Sequence, residues 1–353
     1  MFVPFYRYRM PRALFPAFIL LLLTGACQQP ATKVPEEKLF TGAWHMALDL
    51  DTTSAYKELP FQFELARKGS GWQMTIHNQD EAIVVDSIVL NGDSIRIRMP
   101  FFDSEFRGMV KGQKLFQGLW YNHYKGPDYT IPFTATAGEQ PRFAKAVVTA
   151  STDVSGDWEV HFTDDGDDEP AIGIFSVDHG HVKGSFATET GDLRFLEGVT
   201  TKDSLFLSSF NGSQAFLFSA AIRPDSLLGE FRSGHHWKQP WYAVRNPHFA
   251  LADDETMTQL DMKYPVAFSF PDTEGTMHSL SDEKYRDHAV VVEIMGTWCP
   301  NCMDESRMLH EFYAKYHKDG LEAVAICFER YPDSAAAIVG LTQKSWASAL
   351  AGA

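Results

Sequence analysis

Val290-Val-Val-Glu-Ile-Met-Gly-Thr-Trp-Cys-Pro-Asn-Cys302 is the stretch on which the reading of this chain turns. Val290 to Ile294 is apolar and β-branched, the pattern of a buried strand. Gly296 ends it, and the two cysteines then open a helix. Two thiols three positions apart at a helix start can close a small disulfide. The unpaired N–H groups and the dipole of that helix end favour negative charge, so the first sulfur is drawn toward thiolate. The spacing points to reversible dithiol–disulfide exchange on the thiols of other proteins.

The surroundings read as α/β. Ala267 to Phe270 is a short strand, and Asp272-Thr-Glu-Gly275 is a turn. Cys299 to about Lys318 is a helix, with Met308, Leu309, Phe312 and Tyr316 at helical spacing. Leu321 to Phe328 is a second buried strand, and Ser334 to about Leu350 reads as a helix weakened by Gly340. Strand–helix–strand on this scale is a parallel unit with a right-handed crossover.

Trp298-Cys-Pro-Asn-Cys302, between a hydrophobic strand and a helix, resembles a thioredoxin-fold active site. The lead-in Pro265-Val-Ala-Phe-Ser-Phe-Pro-Asp-Thr-Glu-Gly275, and Glu305 three residues past Cys302, narrow the resemblance to the extracytoplasmic thiol–disulfide oxidoreductases of the TlpA/ResA type, over about residues 264–335. The resemblance implies that Cys299 attacks a partner and Cys302 resolves the mixed disulfide. It implies that Trp298 shields and positions the pair. Glu293, six residues before Cys299, would be a buried carboxylate that accepts the Cys302 proton. Glu305 would be the acidic residue that tunes the thiols. The implied role is disulfide reductase, without cofactor or metal. Its partners would be extracytoplasmic protein disulfides and a membrane thiol donor such as a DsbD-type protein. A full thioredoxin fold adds a later cis-proline, two antiparallel strands and a closing helix. Only 25 residues follow Phe328, and the sole later proline is Pro332, so the thioredoxin-like domain over 265–353 is expected to be truncated, with an unpaired sheet edge.

From Leu39 to about Arg245 the pattern is all-β. Phe61-Gln-Phe-Glu-Leu65, Trp72-Gln-Met-Thr-Ile76 and Ser94-Ile-Arg-Ile-Arg98 alternate between turns rich in Gly, Asn and Asp. Regular short strands predict a barrel or sandwich. Gly42-Ala-Trp44 returns as Gly156-Asp-Trp158, Asp93-Ser-Ile95 as Asp203-Ser-Leu205, and Leu115-Phe-Gln-Gly118 loosely as Leu227-Leu-Gly229. The offsets are 114, 110 and about 111, so a duplicated unit is expected, at 39–136 and 154–245. Residues 137–153 would link the two, and 246–264 would link the second to the thioredoxin-like domain.

The chain has 353 residues, 44% of them hydrophobic and 22% charged, enough for two or three folded domains. A formal charge of −15 argues against nucleic acid, which is bound through basic contacts to phosphate. Arg7, Arg9 and Arg12 precede an apolar run from Ala13 to Leu23 that is too short to span a bilayer. Gly25 and Ala26 before Cys27 resemble a bacterial lipobox. That resemblance implies a signal peptide at 1–26, lipidation at Cys27, a tether at 27–38, and attachment outside a bacterial cytoplasmic membrane. With Cys27 assigned to lipid, the remaining Cys299, Cys302 and Cys327 suit one redox pair plus a spare.

Competing readings stand beside these. Half a zinc site would need a second ligand pair, and none follows the CxxC spacing. Cys327 is either an inert buried thiol or a regulatory one. Glu293 is either a proton relay or a merely paired carboxylate. Glu305 is either a tuning residue or an ordinary first-turn acid. Asp164-Asp-Gly-Asp-Asp-Glu169 reads as a solvated hairpin loop better than as a calcium loop. His179, His181, His235 and His236 read as loop histidines. Trp44, Trp120, Trp158 and Trp237 read as barrel core. A peroxiredoxin-like peroxidase would require Thr-x-x-Cys, whereas Thr297 lies two residues before Cys299. The reading from another class is a surface-attached β-rich binding lipoprotein with a degenerate thioredoxin-like tail.

Overall fold

The computed structural model describes residues 39–50, 56–146, 148, 150–164, 166–253, 263–264, 266–272, 274–329 and 347–352. The expected signal segment 1–26, the expected lipidation site Cys27 and the expected tether 27–38 lie outside the described residues, as do residues 334–346 of the expected last helix.

Two antiparallel meanders follow one another. The first comprises β1 (Gly42–Asp49), β2 (Glu58–Lys68), β3 (Gly71–Asn78), β4 (Glu81–Val85), β5 (Ile88–Asn91), β6 (Ser94–Arg98), β7 (Ser104–Val110), β8 (Leu115–Asn122) and β9 (Thr130–Ala137). Its order, β4-β3-β2-β1-β9-β8-β7-β6-β5, curls the sheet so that β1 pairs with β9 and leaves β4 and β5 as edges. The second comprises β10 (Gly156–Asp164), β11 (Asp167–Asp178), β12 (His181–Thr188), β13 (Gly191–Thr200), β14 (Ser204–Phe210), β15 (Ala215–Ile222), β16 (Ser226–Ser233) and β17 (Trp237–Val244). These form a closed barrel, with β17 returning to β10.

Alternation in the sequence becomes alternation in space. Phe61, Phe63 and Leu65 point inward from β2, Trp72, Met74 and Ile76 from β3, and Ile95 and Ile97 from β6. The two meanders repeat each other in detail. Trp44 donates its indole N–H to the Phe40 carbonyl at 3.0 Å, and Trp158 makes the same bond to Val154 at 2.9 Å. Gly42 and Gly156 both hold positive φ, +120° and +96°. Gly118 and Gly229 share a reason for lacking a side chain. A Cβ at 118 would lie 2.0 Å from the Arg107 carbonyl oxygen, and one at 229 would lie 2.5 Å from that of Ser219. One strand differs: the residues that form β4 and β5 in the first copy have as their counterpart the single strand β13, which bends at Phe195 (φ +58°).

The two meanders form one body. Phe206, Phe210, Ala215 and Leu217 of the second are built into the hydrophobic core of the first. Phe61 and Phe210 stack with centroids 4.4 Å apart. Such a ring pair contributes about 0.5–1.5 kcal/mol beyond its buried area. Asn78, fully buried, pairs with the Phe210 backbone as a strand would, donating to its carbonyl at 2.9 Å and accepting from its N–H at 3.3 Å. The connecting segment is packed in: Phe143 joins the same core, and Arg142 donates to the His77 carbonyl at 2.6 Å and to Glu197 Oε2 at 2.9 Å. Trp44, Trp120 and Trp158 are core residues as expected. Trp237 is not; it is 42% exposed, and Trp241 occupies the barrel interior instead.

The C-terminal region begins with the hairpin β18 (Ser269–Pro271) and β19 (Met277–Ser279). A parallel sheet follows, in the order β20 (Ala289–Met295), β21 (Leu321–Glu329), β22 (Ala347–Gly352), with helix α1 (Pro300–Tyr316) joining the first two strands. The described end of the expected last helix is thus a strand, and it pairs with the edge of β21 that was expected to be bare. The apolar stripe along α1 is also not seated in a core, since Met308 and Phe312 are 67% and 48% exposed. The sheet face away from α1 packs on Phe268 and Tyr285.

Candidate active site

Strand β20 delivers the chain to the start of α1 through Gly296-Thr-Trp298, and a side chain at Gly296 would meet the Trp298 indole at 2.3 Å. Cys299 caps α1 in extended conformation, with Pro300 in the first turn. Proline suits that position because the N–H it lacks has no intrahelical acceptor. Cys299 and Cys302 are joined as a disulfide with Cα atoms 5.3 Å apart. The Cys302 N–H points at the Cys299 sulfur at 3.2 Å. That N–H is one of the orphan donors of the helix end, and it is aimed where a thiolate would carry its charge.

Glu293 lies on the face of the sheet that α1 covers. It is 7% exposed, and its Oε1 accepts from Ser306 Oγ at 2.6 Å. Its Oε2 is buried without a hydrogen-bond partner among the described residues. Burial pushes its pKa above the usual carboxylate value, the Ser306 hydrogen bond opposes this, and the negative charge of Glu305 adds to it. Ser306 is four residues past Cys302, so both lie on one side of α1. Cys302 and Met303 pack against Met295, Ala325 and Cys327, the last fully buried. Glu305 itself is exposed. It reaches the site through its field on Glu293.

Trp298 is held on two sides. Its indole N–H donates to the Phe328 carbonyl at 3.2 Å, and its ring stacks on Tyr124 with centroids 5.5 Å apart and planes at 22°. Tyr124 belongs to the short 3-10 turn His123–Lys125 that follows β8. Further contacts come from the barrel. Ser213 Oγ donates to the Trp298 carbonyl at 2.7 Å, Asn301 Nδ2 donates to the Asp192 carbonyl at 3.3 Å, and Arg194 forms an ion pair with Asp304. Gly191 leaves the room that Asn301 uses, since a Cβ there would lie 2.6 Å from its Nδ2.

The structure therefore brings Cys299, Cys302, Glu293 and Trp298 together, with Glu305 at the rim and Cys27 outside the described residues. Sequence reasoning missed Ser306, Tyr124, Ser213 and Arg194. Only Ser306 left a signal, as a small polar residue one turn after Cys302 on the side expected to face the sheet. The other motifs take ordinary places. Asp164 pairs with Asp167 at the β10–β11 hairpin end, where Asp168 pairs with His161 at 3.0 Å; His181, expected in a loop, instead opens β12 and pairs with Glu197 at 2.8 Å.

Residues 262–350 match the AhpC/TSA family. A thiol-disulfide oxidoreductase ResA from Geobacillus thermodenitrificans is 39% identical over 59 residues, which is 17% of this chain and 33% of that protein. ResA from Geobacillus kaustophilus matches to the same extent. The chain thus spans about a third of the length of the curated relatives it matches. Among solved structures, a thiol-disulfide oxidoreductase from Bacteroides fragilis is similar at 19% identity and a TM-score of 0.23, covering 24% of this chain and 63% of that one. The C-terminal region is thioredoxin-like and is similar to the thiol-disulfide oxidoreductase ResA, and barrel-like β sheets precede it.

Proposed function

We propose that the chain is an extracytoplasmic, lipid-anchored reductase of protein disulfides that works through Cys299 and Cys302. The observation that carries the reading is the Cys299–Cys302 disulfide at the N-terminus of α1, on the side of the sheet where Glu293 is buried. The 39% identity to ResA over 59 residues supports the chemistry, and the lipobox resemblance before Cys27 supports the location. Among the described residues no helix is long and apolar enough to cross a membrane.

In the reduced protein the helix end favours thiolate at Cys299. That sulfur attacks one sulfur of a partner disulfide; the partner S–S bond breaks and one partner thiolate leaves. Cys302 gives its proton to Glu293 and attacks Cys299; the mixed S–S bond breaks and the second partner thiolate leaves. Two electrons pass to the partner, and the enzyme pair ends as the disulfide seen here. A membrane thiol donor of the DsbD type would return the two electrons. Glu293 suits the transfer because a desolvated carboxylate holds a proton more tightly than an exposed one. A peroxiredoxin-like peroxidase is disfavoured, because Gly296 stands where Thr-x-x-Cys needs threonine.

The test is a redox-buffer titration with alkylation trapping of Cys299 and Cys302. One reversible two-electron couple is expected, within about −180 to −300 mV as for known exchangers. Two thiols that alkylate independently at every potential would sink the reading and favour a β-rich binding protein.

A further inference from the structure

The β-rich body touches the redox segment at four points that bracket the disulfide. Trp298 immediately precedes Cys299, Asn301 lies between the cysteines, and Asp304 follows Cys302 by two residues. Their β-body partners are Tyr124 and Ser213, Asp192, and Arg194 respectively.

These contacts are a ring stack, two hydrogen bonds and an ion pair. Among the described residues no hydrophobic core spans the junction. The two clusters of the C-terminal region contain only C-terminal residues. The two β meanders, in contrast, share a core. A small domain that leans on a rigid body through polar contacts is free to separate from it, because only large apolar interfaces hold domains fast. Separation is also cheap in charge, since Asp304 keeps Arg307 of its own helix at 3.5 Å. It leaves Trp298 in place, because the Phe328 carbonyl that holds the indole belongs to the same domain. The ring face released from Tyr124 then lies open immediately before Cys299 in the chain.

We infer that the β-rich body sets the specificity of the redox site. Tyr124, Ser213 and Arg194 act as positioning residues that hold the Trp298–Asp304 segment docked. In the docked form small disulfides reach Cys299 and folded protein partners do not; undocking admits the proteins. This rests on the oxidoreductase reading above.

The test uses the full chain, pre-reduced and followed over a single turnover. Two probes are compared: hydroxyethyl disulfide as a small substrate and insulin as a folded one. Tyr124→Ala with Arg194→Ala is expected to raise the insulin rate about tenfold relative to the hydroxyethyl disulfide rate, the order set by one aromatic stack and one part-exposed ion pair. Arg194→Asp should raise the same ratio, and adding Asp304→Arg should bring it back, an outcome that a general loss of folding does not produce. A ratio unmoved in variants that unfold at the parent temperature would overturn the inference. So would equal falls in both rates, or a charge swap that restores nothing. A parent chain that reduces neither probe would instead overturn the oxidoreductase reading itself.

Discussion

Burying a carboxyl group without full hydrogen bonding costs free energy, and Glu293 is held in that condition, with one oxygen on Ser306 and the other unpaired among the described residues. The sign of its linkage follows from its raised pKa. The folded state keeps the proton that the unfolded state releases near the ordinary value of 4.5. The group therefore supports folding fully below that pH and progressively loses the contribution as pH rises through the folded-state value. Glu293→Gln should raise the melting temperature at pH 7, where the charged form is penalised, and leave it unchanged near pH 3. The same variant should slow release of the mixed disulfide about 10²-fold, the scale of a lost general base. Thermal melts at the two pH values and quenched trapping of the Cys299 adduct check the two halves. A variant that is destabilised at pH 7 would remove the desolvation account.

At the scale of elements, neighbouring strands come closer at two glycines than a side chain permits. Gly118→Ala and Gly229→Ala each set a methyl group against a neighbouring carbonyl oxygen. Each should cost about 1–3 kcal/mol, the range for overpacking a closed site. Ala at 112, where a Cβ would meet nothing within 4 Å, should carry only the strain of φ +67°. Denaturant titration of the three variants checks the order. The pattern of these elements was legible: alternation at Phe61–Leu65 and Trp72–Ile76 announced inward faces, and Val290–Cys302 announced strand, turn and helix. Ala347–Gly352 was not legible. Ala-Ser-Ala-Leu-Ala favours helix by propensity, and it is a strand because β21 offers an unpaired edge, a preference that lives in the neighbour. Nor was the stack of Trp298 on Tyr124, because no local pattern records which loops of separate domains meet.

At the scale of the whole molecule, one arginine joins the two meanders. Arg142 is 4% exposed and serves the carbonyls of Pro60 and His77 together with Glu197. Burial alone would raise the Glu197 pKa, but a hydrogen bond from His181, the Arg142 charge and the Gln79 N–H hold it at about 2. That contribution is complete above the ordinary value of 4.5 and is lost as pH falls toward 2. Arg142→Ala should cost about 3–5 kcal/mol, because it strands the buried groups it served. It should also flatten the acid limb of the stability profile, since Glu197 would then titrate nearer its ordinary range. Chemical unfolding between pH 3 and 7 measures both.

The shared core sets a timetable for biosynthesis. Phe143 of the connecting segment is the last buried residue of this core made before the second meander, yet the same core also needs Phe206, Phe210, Ala215 and Leu217. The nascent chain must therefore be extended by 74 residues before the first half can close. At about 5–20 residues per second this is a wait of roughly 4–15 s. Throughout it, a half-built barrel presents open apolar surface to whatever is nearby. The newborn protein is most exposed to aggregation long before its cysteines have been made, and a holding chaperone would be needed for the β-rich body before any oxidant or reductant is needed for the dithiol.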